Sequence, residues 1–411
     1  MNDQTRKYLL WGGLAVAAIV VAALLFSSGG DDDDDVAADT TTTTAAATTT
    51  TAPPETTTTT EAPPDDTTTT TEAMMADPVK TCLVTDLAGV DDRSFNASAW
   101  DGVLQAVDEG YATEDSIVLE SDAAEDYQPN IDACLSGGAQ HIVTVGFALG
   151  EATALNAPLN PDVTWTIVDV DLFDFSVTPP ADVTFDNARE LVWQTDEAAF
   201  LAGYAAAEVT TTGVLGTYGG APFPTVSIFM DGFARGAAHY NEVKGTDVSV
   251  IGWNVETQEG TFTGSFTDMG VARSTADSLF DEGVDIIIPV GGAINLPAGD
   301  AIIDRGLEAA LVGVDTDAFF AAPEQYQDLW LTSVLKNIKK GVFESVQAHS
   351  AGTWTNGIAC GNLANDGVGL APWHSWEGSI SAELQAEIDA LAAEIKSGAR
   401  DASHVFISDA C

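Results

Sequence analysis

Basic residues are scarce in this 411-residue chain. Lysine and arginine together number 14, against 63 aspartates and glutamates, which gives a formal net charge of −49. The first 78 residues hold few of these charges, so residues 79–411 alone carry −38. Such a field repels nucleic acids and anionic lipid headgroups. The composition therefore argues against a nucleic-acid partner.

Catalytic motifs are also missing. The sequence has no G-x-x-x-x-G-K-[ST], no G-x-G-x-x-G after its first predicted strand, no G-x-S-x-G and no H-E-x-x-H. Its five histidines stand apart without the spacing of metal ligands, at His141, His239, His349, His374 and His404. Pairs of carboxylates are uninformative in so acidic a chain. These absences favour a protein that binds its ligand without covalent chemistry, and they predict no metal and no cofactor.

Cysteine is sparse as well. Cys82, Cys134, Cys360 and Cys411 are an even number, and none forms a C-x-x-C pair. In an exported protein this favours disulfides over a metal site, with buried free thiols as the alternative. Three pairings are possible. We favour Cys82 with Cys134 and Cys360 with Cys411, because each pair then falls within one predicted lobe.

The first 78 residues predict export rather than folding. Leu9 to Phe26 form an apolar run with Arg6 and Lys7 before it and Asp31–Asp35 after it. Residues 1–30 are predicted to be an uncleaved membrane anchor, with a removed signal as the alternative. No cysteine lies here to carry a lipid. Residues 31–78, rich in Thr, Ala, Pro and acid, predict a disordered stalk that holds the folded part outside the cell membrane.

From Val79 onward, short apolar runs alternate with helical patterns, as in parallel sheets built by β-α-β crossovers. The pattern runs twice, separated by a long predicted helix over 186–208, so we expect two doubly wound lobes. Crossings between them are predicted at "TFDN", "QDLWLTSVLKN" and "HSAGTWTNG". Lobe 1 would then hold residues 79–187 and about 328–350, and lobe 2 residues 188–327 and about 351–411.

Carboxylates and glycines follow the predicted strands. Asp86, Asp169, Asp315 and the pair Gly291-Gly292 each come directly after an apolar run. In open α/β sheets, ligands bind beyond the carboxyl ends of the strands. These residues therefore predict a ligand site in a cleft between the lobes.

The stretch "TDLAGVDDRSFN" (85–96) has two interpretations. In one, Ser94 or Asn96 caps the next helix and Phe95 packs on the core. In the other, Phe95 offers a flat apolar face to a planar ligand, while Asp86, Asp92 and Asn96 supply polar groups at its edge.

This stretch is followed, in order, by "IVTVGFALGEA", "NPDVTWTIVDVD", "DEAAFLAGYAAAEVTTTGVLGTYGG", "FPTVSIFMDGFARGA", "GSFTD", "DEGVDIIIPVGGA", "LVGVDTDA" and "LTSVLKN". Together these blocks, over about residues 79–350, resemble the basic membrane protein family of substrate-binding proteins of ABC importers, which includes purine nucleoside receptors. The resemblance implies a two-lobed type I periplasmic binding protein fold with a nucleoside held between the lobes.

The family's site residues map onto this chain. The resemblance implies that Phe95 and Phe229 stack on the purine and that Asp86 and Asp169 read its base edge. It implies that Asp315 and Lys336 hold the ribose hydroxyls, and that Asn96 and a glycine of Gly291-Gly292 complete the site. Without the resemblance, the helical spacing around Phe229 favours a core residue, and Lys336 could be a surface lysine. The chain departs from the family at Asn295, Leu296 and Pro297, where a glycine-rich turn is usual on the ribose side of the site.

The sequence therefore predicts a monomeric, extracytoplasmic receptor that passes a nucleoside to an ABC permease. Two alternatives stay open. The same lobes could signal to a membrane partner instead of delivering cargo, and an exported nucleoside hydrolase could use a related fold. The missing nucleophile, base and metal motifs argue against the hydrolase.

Overall fold

A computed structural model describes residues 77–174, 181–405 and 411. The predicted anchor and nearly all of the predicted stalk lie outside these residues. Within the described ranges, no helix combines the length and the apolar character needed to cross a membrane.

The first sheet is built from six parallel strands in the order β11-β5-β4-β3-β1-β2. The central strands are buried runs of apolar and β-branched residues, because helices cover both faces of the sheet. The six strands are β1 (Thr81–Val84), β2 (Ile117–Leu119), β3 (His141–Val145), β4 (Thr164–Val168), β5 (Ala188–Trp193) and β11 (Gly357–Gly361).

The second sheet repeats this plan in the order β12-β10-β9-β8-β6-β7. Its strands run parallel except β12, which pairs antiparallel with β10 at the edge. The strands are β6 (Val214–Gly219), β7 (Ser249–Ile251), β8 (Ile286–Val290), β9 (Ala310–Asp315), β10 (Trp330–Lys336) and β12 (Val368–Leu370). Two-stranded hairpins at Phe173–Asp174 with Ala181–Asp182 and at Trp253–Asn254 with Glu259–Gly260 lie outside the two sheets.

Ten α-helices flank the sheets in the described ranges. Four belong to lobe 1: α1 (Phe95–Asp108), α2 (Tyr127–Ser136), α3 (Gly150–Asn156) and α9 (Ile338–Ser350). Six belong to lobe 2: α4 (Thr195–Val209), α5 (Pro224–Lys244), α6 (Met269–Asp281), α7 (Leu296–Arg305), α8 (Ala318–Ala321) and α10 (Ala382–Lys396). The two doubly wound lobes of the predicted fold are therefore present.

The predicted lobe boundaries differ from this topology in three places. The range 188–193, predicted as the start of a helix in lobe 2, is strand β5 of the first sheet, and the helix begins only at Thr195. Strand β10 belongs to the second sheet, not to lobe 1, and β11 belongs to the first sheet, not to lobe 2. The chain thus crosses between lobes near residue 194, near residue 337 and between residues 361 and 368. Sequence periodicity identifies a buried strand but does not say which sheet it joins.

Both predicted disulfides are present. Cys82 on β1 is bonded to Cys134 on α2, and Cys360 on β11 is bonded to Cys411, with a Cα–Cα distance of 5.6 Å in each. The second pair was expected to lie within lobe 2. This was wrong, because Cys360 lies on a strand of the first sheet, which belongs to lobe 1. This bond attaches the end of the chain to an edge strand.

Helices α4 and α5 pack unusually closely, and glycine makes this possible. A Cβ atom at Gly203 would lie 1.9 Å from the carbonyl oxygen of Phe233, and one at Gly236 would lie 1.9 Å from that of Phe200. Backbone therefore contacts backbone at this crossing, and any side chain would force the helices apart.

We expect Gly203→Ala and Gly236→Ala each to lower the free energy of unfolding by about 1–3 kcal/mol, the usual cost of overpacking. Urea denaturation followed by circular dichroism measures the change. Gly378→Ala is the control, since a Cβ atom there meets no atom within 4 Å. Equal stability of all three variants would contradict this account of the crossing.

Candidate functional site

One cavity of about 540 Å³ lies between the carboxyl ends of the two sheets. All ten residues predicted for the ligand site line it: Asp86, Asp92, Phe95, Asn96, Asp169, Phe229, Gly291, Gly292, Asp315 and Lys336. They come from both lobes. The structure thus brings the predicted set together, and its role in binding a ligand stays a prediction.

Asp92 is fully engaged by the helix that follows it. Its Oδ1 accepts hydrogen bonds from the backbone N–H of Ser94 and Ala97, each at 3.0 Å. Its Oδ2 accepts from the backbone N–H of Asn96 at 2.7 Å and from the Asn96 side chain at 3.1 Å. Asp92, and not Ser94 or Asn96 as predicted, caps α1 with its side chain, so its main contribution is to position Asn96.

Asp86 and Asn96 form a polar pair at one end of the cavity. The Asn96 amide donates to Asp86 Oδ1 at 2.7 Å, and the backbone N–H of Ala88 donates to the same oxygen at 3.2 Å. Removal from water raises the pKa of Asp86 to about 6, against the opposing effect of the Asn96 hydrogen bond. Asp86 Oδ2 accepts no hydrogen bond from any residue that the structure describes, so it is free for a ligand donor.

Lys336 lies between two aspartates from opposite lobes. Its Nζ is 2.5 Å from Asp169 Oδ2 and 3.6 Å from Asp315 Oδ1. Burial raises the pKa of Asp169, while the Lys336 ammonium counteracts that rise. Asp315 Oδ1 is buried and has no hydrogen-bond partner in the described part of the chain. Lys336 is only 3% exposed, so the alternative of a surface lysine is excluded.

Both aspartates adopt an uncommon backbone conformation. Asp169 follows β4 with φ 67°, and Asp315 ends β9 with φ 65°. This left-handed region is unfavourable for most residues with a Cβ atom, and aspartate is among those that tolerate it best. The turn directs both carboxyl groups toward Lys336.

The two predicted stacking rings face the cavity. The Lys336 ammonium lies 5.5 Å from the ring centroid of Phe95 and 4.9 Å from that of Phe229. Phe229 belongs to the core as well, because it is only 2% exposed and packs in the central apolar cluster. The core position expected from helical spacing is therefore confirmed, and the stacking role of Phe229 stays a prediction.

Three further rings line the cavity, and sequence reasoning did not assign them to the site. Phe147 of lobe 1 lies 5.1 Å from Phe223 of lobe 2, and Phe223 lies 6.0 Å from Phe266, measured between ring centroids. A Cβ atom at Gly220 would meet the Phe266 ring at 2.3 Å, so the glycine makes room for it. The "GSFTD" block, which contains Phe266, was the signal for it.

The segment that departs from the family does not close the cavity. Gly292–Asn295 form a single 3₁₀ turn, and α7 begins at Leu296 with Pro297 in its first turn, where proline is well tolerated. Gly291 and Gly292 keep their place in the cavity wall.

Direct contacts join the lobes at the cleft. The Ser94 hydroxyl lies 3.1 Å from the carbonyl oxygen of Val314 and 3.0 Å from Asp315 Oδ2. The Thr316 hydroxyl donates to the carbonyl oxygen of Arg93 at 3.3 Å. The described arrangement is therefore one with the lobes closed on each other.

The described ranges hold no candidate metal centre. They contain no group of three or more His, Cys, Asp or Glu side chains able to hold a metal ion. The rings of His141 and His349 lie close to each other, with centroids 5.5 Å apart. Burial lowers the pKa of His141 to about 3. They bond to Thr164 and Thr166 inside lobe 1, so they form part of its packing.

Residues 79–400 match the Bmp family, described as PnrA-like ABC transporter substrate-binding proteins. The chain belongs to this family. Basic membrane protein A of Borreliella burgdorferi is 29% identical over 319 residues, which cover 77% of this chain and 85% of that protein. The ABC transporter nucleoside-binding protein BmpA of Lactococcus lactis is 27% identical over 306 residues, which cover 71% of this chain and 81% of that protein.

The Bmp chain also shares its fold with solved structures. An ABC transporter system solute-binding protein from Aeropyrum pernix superimposes with a TM-score of 0.67 at 23% identity, covering 78% of this chain and 92% of the other. At this identity the likeness shows the fold alone, and it confirms the predicted type I periplasmic binding fold. The membership confirms the resemblance found in the sequence, and the chain is a substrate-binding protein of the ABC-transporter class.

We expect Lys336→Met to open the lobes of this Bmp-family protein. The substitution leaves Asp169 and Asp315 without their cation, and breaking a buried ion pair costs about 3–5 kcal/mol. That exceeds the difference of a few kcal/mol that usually separates two conformations. Small-angle X-ray scattering should report a larger radius of gyration than for the wild type.

Lys340→Met is the matched control. Lys340 is half exposed, and its Nζ lies 3.9 Å from Glu344, so its loss should cost at most about 1 kcal/mol. A Lys336→Met protein that scatters like the wild type would contradict a role for this ion pair in closure.

Proposed function

We propose that this protein is an extracytoplasmic receptor that closes its two lobes around a purine nucleoside and passes it to an ABC permease. Its N-terminal segment would tether it to the cell membrane, and it would act as a monomer. The name of the lactococcal relative, a nucleoside-binding protein, supports the ligand class. No covalent chemistry is required.

The observation that carries the proposal is the mixture of flat apolar rings and unpaired acceptor oxygens. Asp86 Oδ2, Asp169 Oδ1 and Asp315 Oδ1 accept no hydrogen bond from the described residues. Asp315 Oδ1 is buried, and leaving a buried acceptor without a donor costs about 1–3 kcal/mol. The ligand must therefore bring several N–H or O–H donors together with a planar apolar face, and a nucleoside does both.

The division of the cavity follows from its chemistry. Asp86 offers an acceptor oxygen and is held in place by Asn96, whose two amide hydrogens bond Asp86 and Asp92. Such an acceptor suits an N–H on the edge of a base. Lys336 with Asp315 offers a donor and an acceptor, which suits adjacent ribose hydroxyls. Phe95 and Phe229 provide apolar faces, and base–aromatic stacking contributes about 1–3 kcal/mol per base.

The charge of the site favours a nucleoside over a nucleotide. Four carboxyl groups line the cavity, and Lys336 is its only cation among the described residues. A phosphate would approach several like charges at short range, where each repulsion amounts to about 1–4 kcal/mol. A neutral ligand avoids this cost.

The first test is a thermal-shift panel of nucleosides, nucleotides, free bases and sugars on the full chain. Purine nucleosides should raise the melting temperature, and their 5′-monophosphates and free sugars should not. Phe95→Ala should weaken nucleoside binding by about 5- to 150-fold, the equivalent of one lost stacking face. Phe320→Ala is the control, because this ring is 73% exposed and lies away from the cavity. Stabilisation by sugars but not by nucleosides would exclude the proposed ligand.

The second test uses pH. If Asp86 accepts an N–H from the base, only its ionised form binds, and its pKa of about 6 sets the transition. The ionised fraction is nearly complete at neutral pH and falls tenfold for each pH unit below 6. Affinity measured by isothermal titration should therefore drop about tenfold near pH 5. Asp86→Asn should bind weakly with no such drop, and a wild-type affinity that stays constant to pH 5 would contradict the role of Asp86.

A further inference from the structure

A second cavity of about 670 Å³ adjoins the first. The two share three wall residues: Asp86, Phe223 and Phe266. The second cavity does not reach Asp169, Asp315 or Lys336. It therefore lies at the Asp86 end, which the proposed function assigns to the edge of the base.

The walls of the second cavity are mainly apolar. The lining residues that it does not share with the first cavity are Leu87, Ala124, Tyr127, Ala148, Ala221, Gly264, Ser265 and Thr267, of which the last three belong to the loop 264–267. The loop's Ser265 hydroxyl is already engaged by the backbone N–H of Thr267 and Asp268. Asp86 is the one charged residue in this wall. The cavity thus suits an apolar group that is attached next to a hydrogen-bond donor.

Small residues create this space. Ala124, Ala148 and Ala221 come from three different segments, of which the first two belong to lobe 1 and the third to lobe 2. Ala148 follows Phe147, so the ring of one residue faces the first cavity and the methyl group of the next faces the second. Space of this kind, next to a polar edge, is the usual form of a substituent pocket.

We propose that the second cavity binds an apolar substituent on the exocyclic nitrogen of the base, so that the ligands include N-alkyl and N-benzyl purine nucleosides. This inference rests on the proposed function. A monosubstituted exocyclic nitrogen keeps one N–H, which Asp86 Oδ2 accepts, while the substituent enters the apolar space. A disubstituted nitrogen has no N–H left and leaves Asp86 Oδ2 without a donor.

The test compares adenosine, N6-benzyladenosine and N6-benzyl-N6-methyladenosine by isothermal titration to the full chain. We expect N6-benzyladenosine to bind at least as tightly as adenosine and the doubly substituted compound to bind at least tenfold more weakly. Ala148→Leu should weaken N6-benzyladenosine at least tenfold and leave adenosine within about twofold, because Ala148 lines only the second cavity.

Ala152→Leu is the matched control. This variant also replaces alanine with leucine, four residues after Ala148. Ala152 is half-buried and packs in the same lobe, but it lines neither cavity. It should bind all three ligands as the wild type does. Unliganded melting temperatures show whether each variant is folded, and Ala124→Leu replaces Ala148→Leu if the latter does not fold.

The outcomes separate the two proposals. If adenosine binds and N6-benzyladenosine is rejected, the substituent pocket is excluded and the proposed function stands. If Ala148→Leu weakens adenosine and N6-benzyladenosine equally, the pocket is likewise excluded. If no nucleoside binds to the wild type, the proposed function fails and the inference fails with it.

Discussion

The structure depends on one buried ammonium group. Lys336 ends a strand of lobe 2, yet its closest contact is Asp169 of lobe 1, while Asp315 of its own lobe lies 3.6 Å away. Each of these groups would be costly to bury alone, because a charge loses its hydration in a closed cleft. The two aspartates adopt left-handed backbone conformations that direct them to the same point. One cation thus links the ends of the two sheets inside the cavity.

Hydrogen bonds and a pair of aromatic rings also join the lobes at the cleft. Hydrogen bonds from Ser94 and Thr316 contribute about 0.5–1.5 kcal/mol each, and the Phe147–Phe223 ring pair adds a contribution of similar size. Such a total is comparable with the usual difference between open and closed forms. A ligand that satisfies the unpaired oxygens of Asp86 and Asp315 therefore has enough binding energy to decide the balance. A receptor must release its ligand, and individual contacts of this size allow that.

Local sequence patterns predicted which residues meet in the cavity better than they predicted the topology. The residues after each strand could be placed together because parallel strands end on one edge of a sheet, and this rule needs only the strands themselves. The assignment of helix and strand failed for β5, because Leu191, Ala198 and Leu201 follow helical spacing across a strand and the next helix. Sequence periodicity also did not show which sheet β10 and β11 join, because the strands that pair with them are distant in sequence. Phe266 was missed for a similar reason. Its position depends on the space beside Gly220 and Gly291, which follow two different strands.

The acidity of the chain and the chemistry of the cavity are consistent with each other. A net charge of −49 repels anions over a Debye length of about 8–10 Å at moderate salt and has no such effect on a neutral molecule. The cavity also repels anions at short range, because carboxyl groups outnumber lysine among the described residues that line it. A ligand without net charge is opposed by neither field. For a neutral ligand the surface charge is therefore free to suit solubility and the surrounding salt, since the capture of the ligand does not depend on it.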